Sequence, residues 1–424
     1  MKKKLLSLLL AVSMVGTLGA CGKNSTDNTA AKQKKTSKDP VQSLIDNTKG
    51  PVNLTLWCSE TDQYQSVMKE ITEDFKKKYS KVNFNITIGS ESEANCKDDV
   101  LKDVEAAADV FVFPDDQLQG LVDAGALQSV DASYTYDPKK TNSKQTVKAA
   151  SVDGKLYAYP MTASNGYFLF YDKNVFSDDD VKTMDGLLKK AGESGKTVGM
   201  EASGAWYLYS FFKGAGLDMT MNKDGSNSCN WNATDTKYKG SDVAKAVTDI
   251  CKNSAFVNCK NEDAQAYALD GKMAADVNGT WASEAFKKAY GDGYAAAKLP
   301  TYTVNGDQVQ MASFAGYKFA GVNAYSKQTG WAMLLAEFIT NQENQTKIFN
   351  ATGDGPANIE AVKGASSPAL DALAAQSPYS SLQRVGNAYW DPAASLGESL
   401  VEGNYSDAQK LLDDAVKGIC QKAQ

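Results

Sequence analysis

The sequence predicts an α/β fold in two lobes, on three observations. From position 52 onward, short segments with strand-like alternation take turns with segments whose apolar residues recur at helical spacing. Strand and helix alternate singly, the pattern of a parallel sheet covered by helices. Beyond its polar N-terminal stretch the chain runs to about 370 residues, more than one hydrophobic core serves.

The elements follow in chain order. Residues 1–20 join three lysines, an apolar run over 5–15 that is too short to span a bilayer, and the small residues Gly19 and Ala20 before Cys21. This is the pattern of a cleaved export signal. Residues 21–50 are rich in Lys, Thr, Ser, Asn, Asp and Ala, and are expected to form a disordered linker. Such a chain has an r.m.s. reach of roughly 30 Å. A strand is predicted at 52–57, a helix at 63–79 from Tyr64, Val67, Met68, Ile71 and Phe75, and a second strand at 82–88. A helix over 100–108 then leads into a short buried strand at 108–113 that ends in Pro114, Asp115 and Asp116. Ligands of open α/β sheets sit beyond the carboxyl ends of strands, which makes those acids candidates. A strand at 167–171 and helices at 243–252 and 330–340 continue the alternation, and no repeat of fixed period is visible.

Composition narrows the chemistry. The chain has no histidine, which removes Ser-His-Asp and Cys-His nucleophilic sites and the usual zinc ligand sets. Neither metal nor cofactor is expected. Arg384 is the single arginine, so a multi-arginine clamp on phosphate or carboxylate cannot be built. Loss of the leader removes three lysines and no acid, which carries the formal net charge from −6 to −9. That surface disfavours nucleic acid and anionic lipid as partners. Beyond Cys21 there are six cysteines and no C-x-x-C pair; three disulfides in any of 15 pairings and six buried thiols both fit, and none is assigned.

Several segments carry a resemblance. Leu18-Gly19-Ala20-Cys21 resembles the lipobox of bacterial lipoproteins, which implies that Cys21 is diacylated and becomes the mature N-terminus outside the cell. DVFVFPDDQLQGLVDAGALQSV (109–130) resembles the segment of extracellular solute-binding proteins of ABC transporters in which a strand delivers polar residues to a ligand cleft. KLYAYPMTASNGYFLFYDKNVF (155–176) is similar to that family's crossover into the second lobe, and LDGKMAADVNGTW (269–281) to its later strand and tryptophan. The likeness extends over nearly everything after position 52, and is strongest to maltose and maltodextrin binders. It implies a two-lobed, type II periplasmic-binding-protein-like fold, with the ligand cleft between lobes joined by hinge crossovers. The N-terminal lobe would comprise 51–162 plus 311–356, and the C-terminal lobe 163–310 plus 357–424.

Sugar chemistry gives the candidate residues their roles. A pyranose offers apolar faces and a rim of hydroxyls, so its site needs flat aromatics and carboxylate or amide acceptors. Trp281, which follows Asn278-Gly279-Thr280, and Trp390, in NAYWDP, fall where the family stacks sugar rings. Trp206 and Tyr207 sit at a helix start where the family also places aromatics. Asp116 falls on the family's sugar-binding aspartate, with Gln117 in place of the arginine expected beside it and Phe113 on the aromatic three residues before. Asn165 stands where a glutamate is common, and Tyr167 is the aromatic next to the crossover. Glu60 and Asp62 lie in the turn after the first strand, where they serve equally well as N-terminal acids of the following helix. Trp231 and Trp331 read as core residues, and Arg384 as half of a structural ion pair.

The resemblance implies a monomeric lipoprotein on the outer face of a cell membrane; Gly22 in place of an aspartate after Cys21, together with the long tether, favours a single-membrane (Gram-positive) bacterium. It would capture an oligosaccharide, a maltodextrin first among them, and hand it to ABC permease subunits without catalysis. Other oligosaccharides share the scaffold. Two rival readings come from other classes: an exported glycoside hydrolase using Asp116 with Glu60 or Asp276, and a polyamine binder that cages a cation between aromatics and acids.

Overall fold

A computed structural model describes residues 39–421, except positions 132 and 223. The leader, Cys21 and the larger part of the linker lie outside the described residues. Ten strands build the two main sheets. They are β1 (Val52–Cys58), β2 (Phe84–Ser90), β3 (Val110–Pro114), β4 (Ala158–Thr162), β5 (Tyr167–Asp172), β6 (Thr197–Met200), β7 (Phe256–Asn258), β8 (Met273–Gly279), β9 (Tyr294–Ala297) and β10 (Lys318–Val322).

The first sheet has the order β2-β1-β3-β10-β4. β1 runs parallel to β2 and β3, with Leu56 opposite both Ile88 and Val110, as the βαβ reading requires. β10 returns from far along the chain and pairs antiparallel with β3 and β4. β1 alternates, burying Val52, Leu54, Leu56 and Cys58. The helix Asp62–Lys78 buries the five apolar residues that predicted it. Its Phe75 meets Trp331 of the helix Thr329–Ile339 edge-on, with ring centroids 6.5 Å apart.

The second sheet has the order β7-β6-β8-β5-β9. β6 is parallel to β7 and β8, while β5 is antiparallel to β8 and β9. All seven residues of β8 are buried, the mark of a strand covered on both faces. The C-terminal helices Trp390–Glu402 and Ala408–Ile419 join the core of this sheet through Leu396, Leu400, Leu412 and Ile419.

Three segments cross between the two halves: 163–166 from β4 to β5, 316–317 into β10, and 353–356 after the helix Gln342–Thr352. They are tied to one another, since Ala163 N donates to Gly355 O at 2.8 Å and Asn165 N to Gly316 O at 3.3 Å. Gly353 takes φ +80°, a left-handed turn that glycine adopts at least cost.

Two expectations are corrected. Part of the expected disordered linker is the helix Pro40–Asn47, whose Val41, Leu44 and Ile45 pack on the first core. Trp331 Nε1 also donates to Thr48 Oγ1 at 2.9 Å. The helix expected at 100–108 instead spans Cys96–Lys102. Asp103 Oδ1 accepts from the backbone N–H groups of Glu105 and Ala106, and this local turn competes with continued helix. Among the described residues, Cys58, Cys96, Cys229, Cys251, Cys259 and Cys420 are free thiols.

Candidate functional site

A cleft of about 730 Å³ opens between the two sheets' cores and draws its lining from both. From the first half come Tyr64, Glu93, Lys97, Asp116 and Lys318, and from the second Trp206, Trp281, Glu284, Gln383 and Trp390. Asn165, in a crossing segment, also lines it.

The aromatic wall is set by turns at the ends of strands and starts of helices. β8 ends at Gly279, and the short turn Thr280–Ala282 carries Trp281 over it. Trp206 stands in the first turn of the helix Ala205–Gly214. The two indoles lie 5.6 Å apart, inclined at 39°, and form a bent apolar surface. Trp390 opens the helix Trp390–Glu402 and is braced edge-on by Tyr389 at 5.1 Å.

The opposite wall is polar. Asp116 sits in the tight turn Asp115–Gln117 after β3. Its Oδ2 accepts from Gln383 Nε2 at 2.8 Å, while Oδ1 is buried without a partner among the described residues. Burial, with Asp115 adding to it, pushes the Asp116 carboxyl up to about 6. Glu93 likewise has a buried oxygen, Oε1, without a partner, and its other oxygen meets Lys318 Nζ at 2.9 Å. Burial raises the Glu93 carboxyl although Lys318 opposes it. Burial alone would lower the Lys318 ammonium, but Asp354 (3.0 Å) and Glu93 hold it above its usual range. Asp354 in turn accepts from Tyr64 Oη at 2.5 Å and Thr280 Oγ1 at 2.7 Å, which joins both halves beneath the cleft.

Of the expected residues, Trp281, Trp390, Asp116, Trp206 and Asn165 line this one cleft. Five do not. Phe113 is fully buried in the first core, between Phe111 and Phe319, because β3 is covered on both faces. Tyr167 and Tyr207 are buried behind Trp206, at 4.7 and 5.2 Å from its ring. Tyr167 Oη donates to Trp206 O, so it supports the wall from inside. Glu60 and Asp62 are exposed, and their neighbours Ser59, Thr61 and Gln63 line the cleft instead. Asp276 is sealed within the second half, out of reach of the cleft as a partner for Asp116. Trp231, stacked on Phe212 at 4.4 Å, and Trp331 are core residues, and Arg384 pairs with Asp115 at 2.5 Å, as expected of each.

Sequence reasoning missed Glu93, Lys318, Lys97, Glu284 and Gln383. Glu93 lies in a polar loop without periodicity. Gln117, the departure from the arginine pattern, holds that loop: its amide donates to Glu93 O and Ala94 O and accepts from Lys97 N.

Comparison with known proteins agrees with this geometry. Residues 70–375 match the model of a family described as bacterial extracellular solute-binding protein. A galactooligosaccharide-binding protein of Bacillus subtilis is 25% identical over 98% of this chain and 96% of its own length. A maltooligosaccharide ABC transporter solute-binding lipoprotein of Streptococcus pneumoniae is 25% identical over 90% of each chain. Among solved structures, a maltodextrin binding protein from L. casei BL23, without ligand, is 28% identical, with a TM-score of 0.71 over 88% of this chain and 100% of that one. A chain solved with acarbose is also 28% identical, with a TM-score of 0.78 over 88% of this chain and 99% of that one.

Proposed function

Because the chain belongs to the bacterial extracellular solute-binding protein family, we propose that it captures an oligosaccharide, first of all a maltodextrin, and delivers it to an ABC importer. One observation carries the reading: a bent pair of indoles, Trp206 and Trp281, shares a cleft with two buried carboxylate oxygens that have no partner among the described residues. The indole faces take the apolar faces of successive sugar rings. The free oxygens of Asp116 and Glu93 accept hydroxyl protons in charge-assisted bonds.

The cleft binds and releases without bond cleavage. Of the two acids that a hydrolytic reading would pair with Asp116, Asp276 is buried in the second half and Glu60 is exposed, and neither lines the cleft. The two halves act as lobes that close over the sugar about the crossing segments, and the permease subunits read the closed form. Diacylated Cys21 keeps the monomer on the outer face of a Gram-positive cell membrane, and the polar linker gives it reach. A galactooligosaccharide is the second ligand supported, through the Bacillus subtilis relative.

Calorimetric titration with maltotriose, a galactooligosaccharide and spermidine tests this. Maltotriose is expected to bind, and at 100 times its Kd to add about 2.7 kcal/mol of stability. Trp281→Ala should weaken binding by roughly tenfold, about 1.4 kcal/mol, with the unliganded melting point close to wild type. Binding of spermidine alone, or release of glucose from maltotriose, would overturn the reading.

A further inference from the structure

Gln383 is buried at the end of the short strand Ser380–Leu382, and its amide makes two bonds that face opposite walls of the cleft. Its Oε1 accepts from Trp206 Nε1 at 2.7 Å, and its Nε2 donates to Asp116 Oδ2 at 2.8 Å. The orientation is forced by chemistry. An indole N–H only donates and a carboxylate only accepts, so oxygen must meet Trp206 and nitrogen must meet Asp116. A primary amide offers both functions in one neutral group.

The consequences fall on the two groups that would touch a sugar. Asp116 has one oxygen bonded to the amide and one, Oδ1, buried with no hydrogen-bond partner among the described residues. Trp206 has its edge tied down, which fixes the plane of the face it offers beside Trp281. Asp116 belongs to the first half of the molecule while Trp206 and Gln383 belong to the second, so the bridge forms only when the halves are together.

We propose that Gln383 is the positioning residue that sets the specificity of this cleft: it leaves Asp116 a single acceptor oxygen and locks the stacking plane of Trp206. Asp116 then takes one sugar hydroxyl, not a chelated neighbouring pair. This rests on the oligosaccharide reading above.

Calorimetric titration of maltotriose into wild type, Gln383→Ala and Gln383→Glu, at about pH 7.5 and about pH 5, tests it. The charged groups around the bridge are Asp115 on the same turn, Arg384 on the facing segment, and Lys97, Asp98, Glu284 and Asp391 on the cleft lining, together with the Lys318–Glu93 pair. Wild type is expected to bind less tightly at the lower pH, because Asp116 accepts a hydroxyl proton best when ionised. Gln383→Ala should lose about tenfold in Kd at the higher pH, since a charged acceptor and a buried donor are left unpaired. Gln383→Glu should lose more there and regain affinity at the lower pH, where a proton shared between the introduced carboxyl and Asp116 replaces the amide N–H. This reversed slope is a signature that simple packing does not produce, and it decides the matter should Gln383→Ala fail to fold. A Kd for Gln383→Ala within twofold of wild type, or a pH slope for Gln383→Glu equal to that of wild type, would overturn the proposal alone. Absence of oligosaccharide binding in wild type would overturn the functional reading and this inference with it.

Discussion

Asp276 and Asp116 are both buried carboxylates, and their surroundings give them different consequences. Asp276 lies on β8, where Oδ2 accepts from Asn278 Nδ2 at 2.9 Å and Oδ1 has no partner. Burial pushes its carboxyl up to about 8; Glu201 adds to the shift and the Asn278 bond opposes it. A carboxyl raised in the folded state keeps a proton that the unfolded chain gives up near 4. Its contribution to stability is therefore fully favourable below that pH and is lost as pH rises toward 8. Within that window the loss runs to about 1.4 kcal/mol per pH unit for one proton. Asp276→Asn removes the titration, so its melting temperature relative to wild type should climb steadily between about pH 5 and about pH 8. Any fixed cost of the amide is the same at every pH, so parallel melting curves would sink the assignment. The residue shows where sequence stops informing. A single acid in MAADVNG reads as half of a catalytic pair, and only the cover on both faces of β8 shows that it is sealed in. Tyr167 and Tyr207 misled for the same reason, since an aromatic at a strand or helix start looks alike whether it forms a wall or stands behind one.

At the scale of elements, the turn that ends β8 decides how the aromatic wall is built. Trp281 folds back over its own strand, and a Cβ on Gly279 would meet Cη2 of the indole at 2.0 Å and Cζ3 at 2.1 Å. The φ of −112° at Gly279 is open to any residue, so alanine there is excluded by the ring and not by the backbone. Gly279→Ala should therefore displace the indole from Trp206 and weaken maltotriose binding by roughly tenfold, as Trp281→Ala does, while the fold tolerates it. An unchanged Kd measured by calorimetry would show that the wall is made elsewhere. Long elements were legible because their pattern repeats: the 17 residues of Asp62–Lys78 give four turns of evidence. The helix Pro40–Asn47 was not, because eight residues hold only Val41, Leu44 and Ile45. A segment that short is marginal by itself, and its helicity comes from the surface around Trp331.

For the whole molecule, two lobes were legible from length and from the singly alternating elements, but the face each lobe turns to the other was not. Asp116 and Gln383 meet across 267 residues of sequence, and neither segment has a period that marks its partner. The same facing segments hold the ion pair between Arg384 Nη1 and Asp115 Oδ2, at 2.5 Å. Asp115 is almost fully buried, and its other oxygen accepts from Tyr317 N at 2.9 Å. Burial raises its carboxyl despite the guanidinium, which is the balance expected where desolvation and pairing nearly offset. Asp115 is buried while the Arg384 side chain is a third exposed, so removal of the guanidinium leaves a buried carboxylate short of a partner at a cost below that of a fully buried pair. That cost falls on the arrangement in which the two segments face each other, since the pair exists only there. Arg384→Ala should thus shift the unliganded protein toward an open form, seen as a larger radius of gyration in small-angle scattering. Saturating maltotriose should draw it back to the wild-type value, and the apparent affinity should fall by the fraction of closed form lost. Each lobe keeps its own core, so thermal unfolding should change far less than the scattering. Arg384→Lys keeps the charge without the planar fork and should fall between the two. If Arg384→Ala scatters as wild type does and binds maltotriose with the same Kd, the pair is a passive contact and closure is governed by the crossing segments alone.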